Sequence, residues 1–383
     1  MSVTAPLGFE AAGVSAGLKA RGGKDLALVV NRGPSQCAAV VFTSNRSKAN
    51  PILWSEQVAA DGRVSAIVLN SGGANCFTGA RGFQTTHATA EAVAAALGVS
   101  PGDVLVCSTG LIGEQLDRAK VETGVAAAAA GLSTTGGIAA AEAILTTDTH
   151  SKTAVFHGDG WTIGGMAKGA GMLAPALATM LVVLTTDADL EPTELATALG
   201  EAVRTTFNRL DSDGCTSTND QVTLLASAAS GIRPTDSDFQ TALVTVCGDL
   251  AAQLMADAEG ASHEITIQVR GAASEDDAVE VGRSVARSNL FKTAVFGNDP
   301  NWGRVLAAIG TTRAEFDPYR VDVSMNGIRV CHAGEPDQPR ESVDLTPRSL
   351  LVEIELFAGD SAATILTNDL THDYVHENSA YSS

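Results

Sequence analysis

Aromatic side chains are scarce: three Trp, three Tyr and eleven Phe make up 4% of 383 residues. So little stacking surface offers no platform for the bases of a single strand. Cationic side chains are also few, 25 Lys and Arg against 44 Asp and Glu, for a net charge of −19. A field of that sign repels a phosphate backbone and argues against nucleic acid as a partner. Long apolar runs are missing. The longest, residues 172–184, spans 13 residues and contains Pro175 and Thr179, whereas a membrane-spanning helix needs about 20. The N-terminus shows no basic region followed by an apolar one, so no signal peptide is expected. The six cysteines, Cys37, Cys76, Cys107, Cys215, Cys247 and Cys331, form no C-x-x-C pair, and the seven histidines form no H-x-x-x-H or H-E-x-x-H pattern. This predicts reduced thiols in a cytoplasmic protein and no metal site. No P-loop pattern occurs. Gly169-x-Gly171-x-x-Ala174 is a loose dinucleotide fingerprint, but Pro175 and a strand-like run follow it where a helix should open.

What is present is a globular composition, 45% hydrophobic and 18% charged. Short β-branched runs at 25–30, 37–43, 64–69 and 104–107 predict strands, as do 153–157, 179–184, 264–269, 321–325, 350–356 and 363–367. Ala-rich stretches at 81–97, 121–130 and 135–145 predict helices, the first stopped by Gly98. A helix capped by Asp189 with Pro192 in its first turn continues to Val203. Others run from Asp238 to Asp257 and from Ser274 to Ala286. The alternation predicts an α/β fold of mixed layered sheets flanked by helices.

Four stretches rich in small polar residues lie between apolar runs, where a scaffold displays reactive groups. They are Asn70-Ser-Gly-Gly-Ala-Asn75, Ser108-Thr-Gly-Leu-Ile-Gly113, Gly164 to Met172, and Asp211 to Asp220. Taken singly, each reads more readily as a tight turn than as a site.

Taken together they carry more. Lys168-Gly-Ala-Gly-Met-Leu-Ala-Pro175, then Ala178-Thr-Met-Leu181, then Thr186-Asp-Ala188 resembles the self-cleavage segment of the ornithine acetyltransferase (glutamate N-acetyltransferase) family. The two loops at 70 and 108 are similar to that family's Asn-Ser-Gly-x-Ala-Asn and Ser-Thr-Gly-x-Ile-Gly loops. Thr146-Thr-Asp148, Asp213-Gly214, Thr216 to Asp220, Asn298 to Arg304 and Asn378 to Ser383 also match, in order. Gly73, Ala258 and Ser383 depart from residues more usual in the family.

The resemblance implies an ornithine acetyltransferase/DmpA-like fold: two α/β regions split by a self-cleavage site between Ala178 and Thr179. The fragments would be 1–178, carrying an oxyanion loop, and 179–383, beginning with the nucleophile. An N→O acyl shift at Thr179 followed by hydrolysis frees its α-amine. With a reference pKa of about 7.7–8.0, that amine can act as base for the adjacent hydroxyl. The implied reaction is ping-pong acetyl transfer from N2-acetyl-ornithine to glutamate through an acetyl-Thr179 ester. Thr109 and Gly110 would supply the oxyanion donors, each worth roughly 2.7–4 kcal/mol. Substrate contacts fall on Thr146, Lys168, Thr179, Glu259, Asn378 and Ser383. Lys168 suits a carboxylate, and Glu259 suits the ornithine ammonium.

The resemblance implies no cofactor and no metal. It implies an assembly of two large and two small fragments, with a role in arginine biosynthesis. Acetyl-CoA is left open as a second donor. Two other readings stand beside it: an N-terminal-nucleophile amidase or aminopeptidase, in which water replaces glutamate, and an uncut metabolite-binding protein. His87 and Cys107 read as structural, the first in a helix and the second at a strand end.

Overall fold

The computed structural model describes residues 2–172 and 180–380. The chain forms two compact units.

The first unit comprises residues 2–208 and 215–257 among those described. Its strands are β1 (Phe9–Val14), β2 (Leu26–Asn31), β3 (Cys37–Phe42), β4 (Ala66–Asn70), β5 (Val104–Ser108), β6 (Lys152–His157), β7 (Thr162–Lys168), β8 (Leu181–Thr186) and β9 (Gln221–Ala226). Its helices are α1 (Asn50–Val58), α2 (Gly79–Leu97), α3 (Arg118–Ala130), α4 (Gly137–Ala143), α5 (Pro192–Thr205) and α6 (Asp236–Ala256). One sheet has the order β1-β2-β4-β5 and the other β3-β9-β8-β7-β6. Ala27, Val29, Ile67, Leu69 and Leu105 of the first sheet meet Met166, Leu181, Val183 and Leu225 of the second. The alternate residues Leu28, Val30, Val68, Val104 and Val106 meet α2 and α3. The second sheet is backed by α5 and α6. Four layers result, helices outside and sheets inside. Both faces of β2, β4, β5, β8 and β9 are therefore covered, and every residue of these strands is buried. This explains why β2, β4, β5 and β8 read as largely apolar runs, whereas β9, with Gln221 and Thr223, was not among the expected strands.

The edge of β5 is closed by α1: Trp54 Nε1 donates to the Val104 carbonyl at 3.0 Å, and Ser55 Oγ donates to that of Val106 at 2.9 Å. Such cover removes a free strand edge. α6 has the length and apolarity to cross a bilayer. Its Phe239, Leu243, Val246, Leu250 and Leu254 are buried, and it packs on β6 and β7, as a core helix does.

The second unit comprises residues 209–214 and 258–380. Its strands β10 (Glu264–Ala272), β11 (Asp322–Met325), β12 (Ile328–His332), β13 (Glu335–Pro336), β14 (Ser349–Glu355) and β15 (Ser361–Asn368) form a sheet ordered β13-β12-β11-β14-β10-β15. Helices α7 (Glu275–Ala286), α8 (Asn289–Phe296), α9 (Trp302–Ile309) and α10 (His372–Ala380) complete it. Ile265, Ile267 and Val269 alternate inward from β10 to a core shared with Val281 and Val285 of α7, the period-2 and period-3.6 faces meeting as expected.

Two sequence expectations change. The α5 cap is Glu191, not Asp189. Glu191 and Glu194 form a reciprocal capping box, because Pro192 occupies the first turn and holds its predecessor extended. The stretch Gly164–Lys168 is strand, not loop. Its glycines admit close neighbours: a Cβ on Gly165 would lie 2.9 Å from Leu250 Cδ1 and 3.0 Å from Leu184 Cδ2. β7 and β8, on either side of residue 178, pair in one sheet. His87 lies in α2 with an exposed side chain, edge-on to Trp54.

Candidate active site

The parallel strands β4 and β5 end side by side at Asn70 and Ser108. The loops leaving such carboxyl ends commonly build sites. Here the two Gly-rich loops hold each other. The Thr109 N–H donates to the Asn70 carbonyl at 2.9 Å, the Gly73 N–H to the Thr109 carbonyl at 3.0 Å, and the Ala74 N–H to the Leu111 carbonyl at 2.9 Å. Gly110 has φ +122°, and a Cβ there would lie 3.0 Å from the Gly73 nitrogen. The position therefore takes glycine alone. The Gly110 N–H meets no acceptor among the described residues, as an oxyanion donor should.

Asn219 locks the loops from the opposite side. Its Nδ2 donates to the Ala74 carbonyl at 2.6 Å and to the Ser108 carbonyl at 2.8 Å. Its Oδ1 accepts from Thr218 Oγ1 at 2.6 Å.

Lys168 closes β7 and is 1% exposed. Its Nζ donates to Thr109 Oγ1 at 3.2 Å, so the last residue of one sheet's strand reaches the loop of the other. In register, Lys168 lies opposite Leu181, the first residue of β8. Asp148 is its counter-charge. Burial alone would raise the Asp148 carboxyl, but the Lys168 and Lys152 ammonium groups, with hydrogen bonds from Lys152 and the Gly169 N–H, hold it down at about 2. Asp148 Oδ1 accepts from Lys152 Nζ at 2.7 Å and from the Gly169 N–H at 2.6 Å. Its Oδ2 accepts the Thr146 N–H at 3.0 Å. Lys152, wholly buried, also meets Asp257 Oδ2 at 2.6 Å. A buried chain of alternating charges thus runs Lys168–Asp148–Lys152–Asp257, and it fixes Thr146 and Gly169.

Thr109, Gly110, Thr146 and Lys168 are thereby gathered in the first unit. Glu259 and Asn378 meet in the second, Asn378 Nδ2 donating to Glu259 Oε2 at 3.0 Å and to the Tyr374 carbonyl at 3.0 Å. Ala178, Thr179 and Ser383 lie outside the described residues. Asp148, Lys152, Asp257, Asn219 and Asp220 were given no role in the sequence reading. The Thr146-Thr-Asp148 and Thr218-Asn-Asp220 motifs were the available signal. Cys107 is buried at the end of β5, and burial pushes its thiol up, away from the reactive thiolate. Among the described residues, no three His, Cys, Asp or Glu side chains converge to hold a metal ion.

In chemical terms, the loop after β5 presents a hydroxyl and a free N–H, and a buried ammonium lies beside them. Such a set has the chemistry to stabilise a tetrahedral oxyanion and to orient a carboxylate.

The profile described as "ArgJ family" matches residues 10–383. A protein of Streptomyces avermitilis named "Arginine biosynthesis bifunctional protein ArgJ" is 62% identical over the full length of both chains. One of the same name from Mycobacterium tuberculosis is 56% identical, covering 100% of this chain and 96% of that one. Among solved structures, an ornithine acetyltransferase from Mycobacterium tuberculosis complexed with ornithine is 56% identical. It covers 45% of this chain and 94% of its own, with a TM-score of 0.45. From a family profile that spans nearly all of the sequence, and full-length relatives well above half identical, it follows that this chain belongs to the ArgJ family.

Proposed function

We propose that the protein is an acetyltransferase of arginine biosynthesis that moves the acetyl group of N2-acetyl-ornithine to glutamate. The observation that carries this reading is the Thr109–Gly110 loop held against Lys168, next to the strand that Thr179 precedes. Thr179 is the nucleophile, exposed as an N-terminal residue by cleavage after Ala178. Its hydroxyl attacks the acetyl carbonyl while its α-amine takes the proton. The oxyanion is held by the Thr109 hydroxyl and the Gly110 N–H. Ornithine departs, glutamate takes its place, and the second transfer releases N-acetyl-glutamate. Lys168 pairs with substrate carboxylate, Thr146 contacts the substrate beside it, and Glu259 with Asn378 and Ser383 receives the ornithine ammonium.

The proposal includes a cytoplasmic location and an assembly of two large and two small fragments. Acetyl-CoA is the natural candidate for a second donor, since the same acetyl-Thr ester would form from it.

Intact-mass spectrometry of wild type beside Thr179→Ala tests the reading. Wild type is expected as two fragments of 178 and 383 − 178 = 205 residues, and the variant as one chain. Incubation with N2-acetyl-ornithine should then add an acetyl mass to the Thr179 fragment. Acetyl appearing only in acetate, with or without glutamate, would replace transfer by hydrolysis. An uncut wild type with no acetyl adduct would leave a binding protein.

A further inference from the structure

Asp220 ends the loop before β9 and is completely buried. Its Oδ1 accepts the Met180 N–H at 3.0 Å. Its Oδ2 is buried and makes no close hydrogen bond among the described residues, although the Ser217 hydroxyl acts on the carboxyl. Leaving such an atom without a close partner is destabilising, so its retention calls for an explanation beyond packing. Met180 directly follows Thr179, and covalent geometry keeps their two nitrogens within about 4 Å of each other. The carboxyl thus holds the backbone of the residue that follows the proposed cleavage point.

We propose that Asp220 is the proton carrier of self-cleavage, an inference that rests on the reading of Thr179 as the processed nucleophile. The Thr179 Oγ–C bond to the Ala178 carbonyl carbon forms, and the Ala178–Thr179 C–N bond breaks. The departing nitrogen takes the proton of the Asp220 carboxyl. The Oγ proton passes to the resulting carboxylate. No proton is gained or lost overall, and the amide becomes an amino ester. Water then cleaves the ester, leaving the Ala178 carboxylate and the free Thr179 hydroxyl.

The step needs a carboxyl that carries a proton near neutrality. Burial pushes Asp220 well above the usual carboxylate range. The Met180 N–H, the Ser217 hydroxyl and the Lys168 ammonium pull the other way without prevailing. Lys168, at the end of β7, is the charged group acting on it.

Cell-free synthesis supplies the uncut chain, whose conversion to fragments can be timed. Asp220→Asn keeps an acceptor for the Met180 N–H but carries no acidic proton. It is expected to convert at least ~100-fold more slowly than wild type, and Asp220→Glu to recover part of the rate. The wild-type rate is expected to fall as the carboxyl ionises at high pH, a limb the Asn variant lacks. An Asn variant that converts within about threefold of wild type overturns the proposal. So does a wild-type rate that rises throughout from about pH 5 to about pH 9, whether or not the variant folds. A wild type that never converts overturns self-cleavage itself and this proposal with it. A cut wild type beside an equally cut Asn variant removes only the part given to Asp220.

Discussion

The Lys168 ammonium donates to the Thr109 hydroxyl across 3.2 Å with both side chains buried. This single bond joins the carboxyl end of β7, in one sheet, to the loop after β5, in the other. It gives the hydroxyl a fixed rotamer and leaves its proton free to point at an oxyanion. It also sets Lys168 between two duties, holding Thr109 and balancing Asp148.

Removing the Thr109 hydroxyl should therefore show in turnover. Thr109→Val is expected to lower kcat about 10²–10³-fold with little change in KM. Steady-state kinetics with N2-acetyl-ornithine and glutamate checks this. An effect confined to KM would take Thr109 out of the oxyanion hole.

Gly110→Ala carries two penalties, a positive φ and a Cβ pressed against the Gly73 nitrogen. The expected loss of stability is about 1–3 kcal/mol. A thermal melt lowered by several degrees, together with reduced transfer, is the outcome. Gly113→Ala is the comparison. It shares the positive φ, but a Cβ there would meet nothing, so it should cost less.

Asp148 gives a pH prediction. Its carboxyl is held at about 2, below its ordinary 3.8. A lowered carboxyl stabilises the fold above the ordinary value and loses that contribution as pH falls from about 4 to about 2. The contribution is about 2 kcal/mol. Asp148→Asn should lose more at neutral pH, about 3 kcal/mol, since it takes the counter-charge from Lys168 and leaves Lys152 with Asp257 alone. Denaturant titrations at neutral and acid pH should find the gap between wild type and variant narrowing as pH drops.

Glu259→Gln should raise KM for N2-acetyl-ornithine more than KM for glutamate, because only the former carries a side-chain ammonium. A roughly tenfold or greater difference is expected from losing a charge-assisted hydrogen bond. Equal effects on both substrates would show that Glu259 supports the Asn378 contact and does not read the ammonium.

The sequence made β2 and β8 legible because they are covered on both faces: Leu26 to Asn31 and Leu181 to Thr186 contain no exposed residue to break the run. β9, equally buried, escaped because Gln221 and Thr223 interrupt its apolar residues. β1 escaped because Glu-Ala-Ala-Gly has little β preference. β7 escaped because its glycines answer to neighbours from distant sequence, Leu184 and Leu250. The site divided in the same way. Thr109, Gly110 and Lys168 sit in long local motifs and could be singled out. The ion chain from Asp148 through Lys152 to Asp257 spans 257 − 148 = 109 positions, and nothing in a one-dimensional pattern pairs them. Asn219 was visible as a motif residue, but its two carbonyl partners were not.

The five-stranded sheet interleaves the chain on either side of residue 178: β3, β6 and β7 come before it, β8 and β9 after. The two later strands are clamped between β3 and β7 by backbone ladders on both flanks. Neither piece of a nicked chain would hold the whole of this sheet. The nick would thus yield a permanently mated pair, a natural case of split-protein complementation. Separately produced halves should be inert, and activity should return only when they fold in each other's presence.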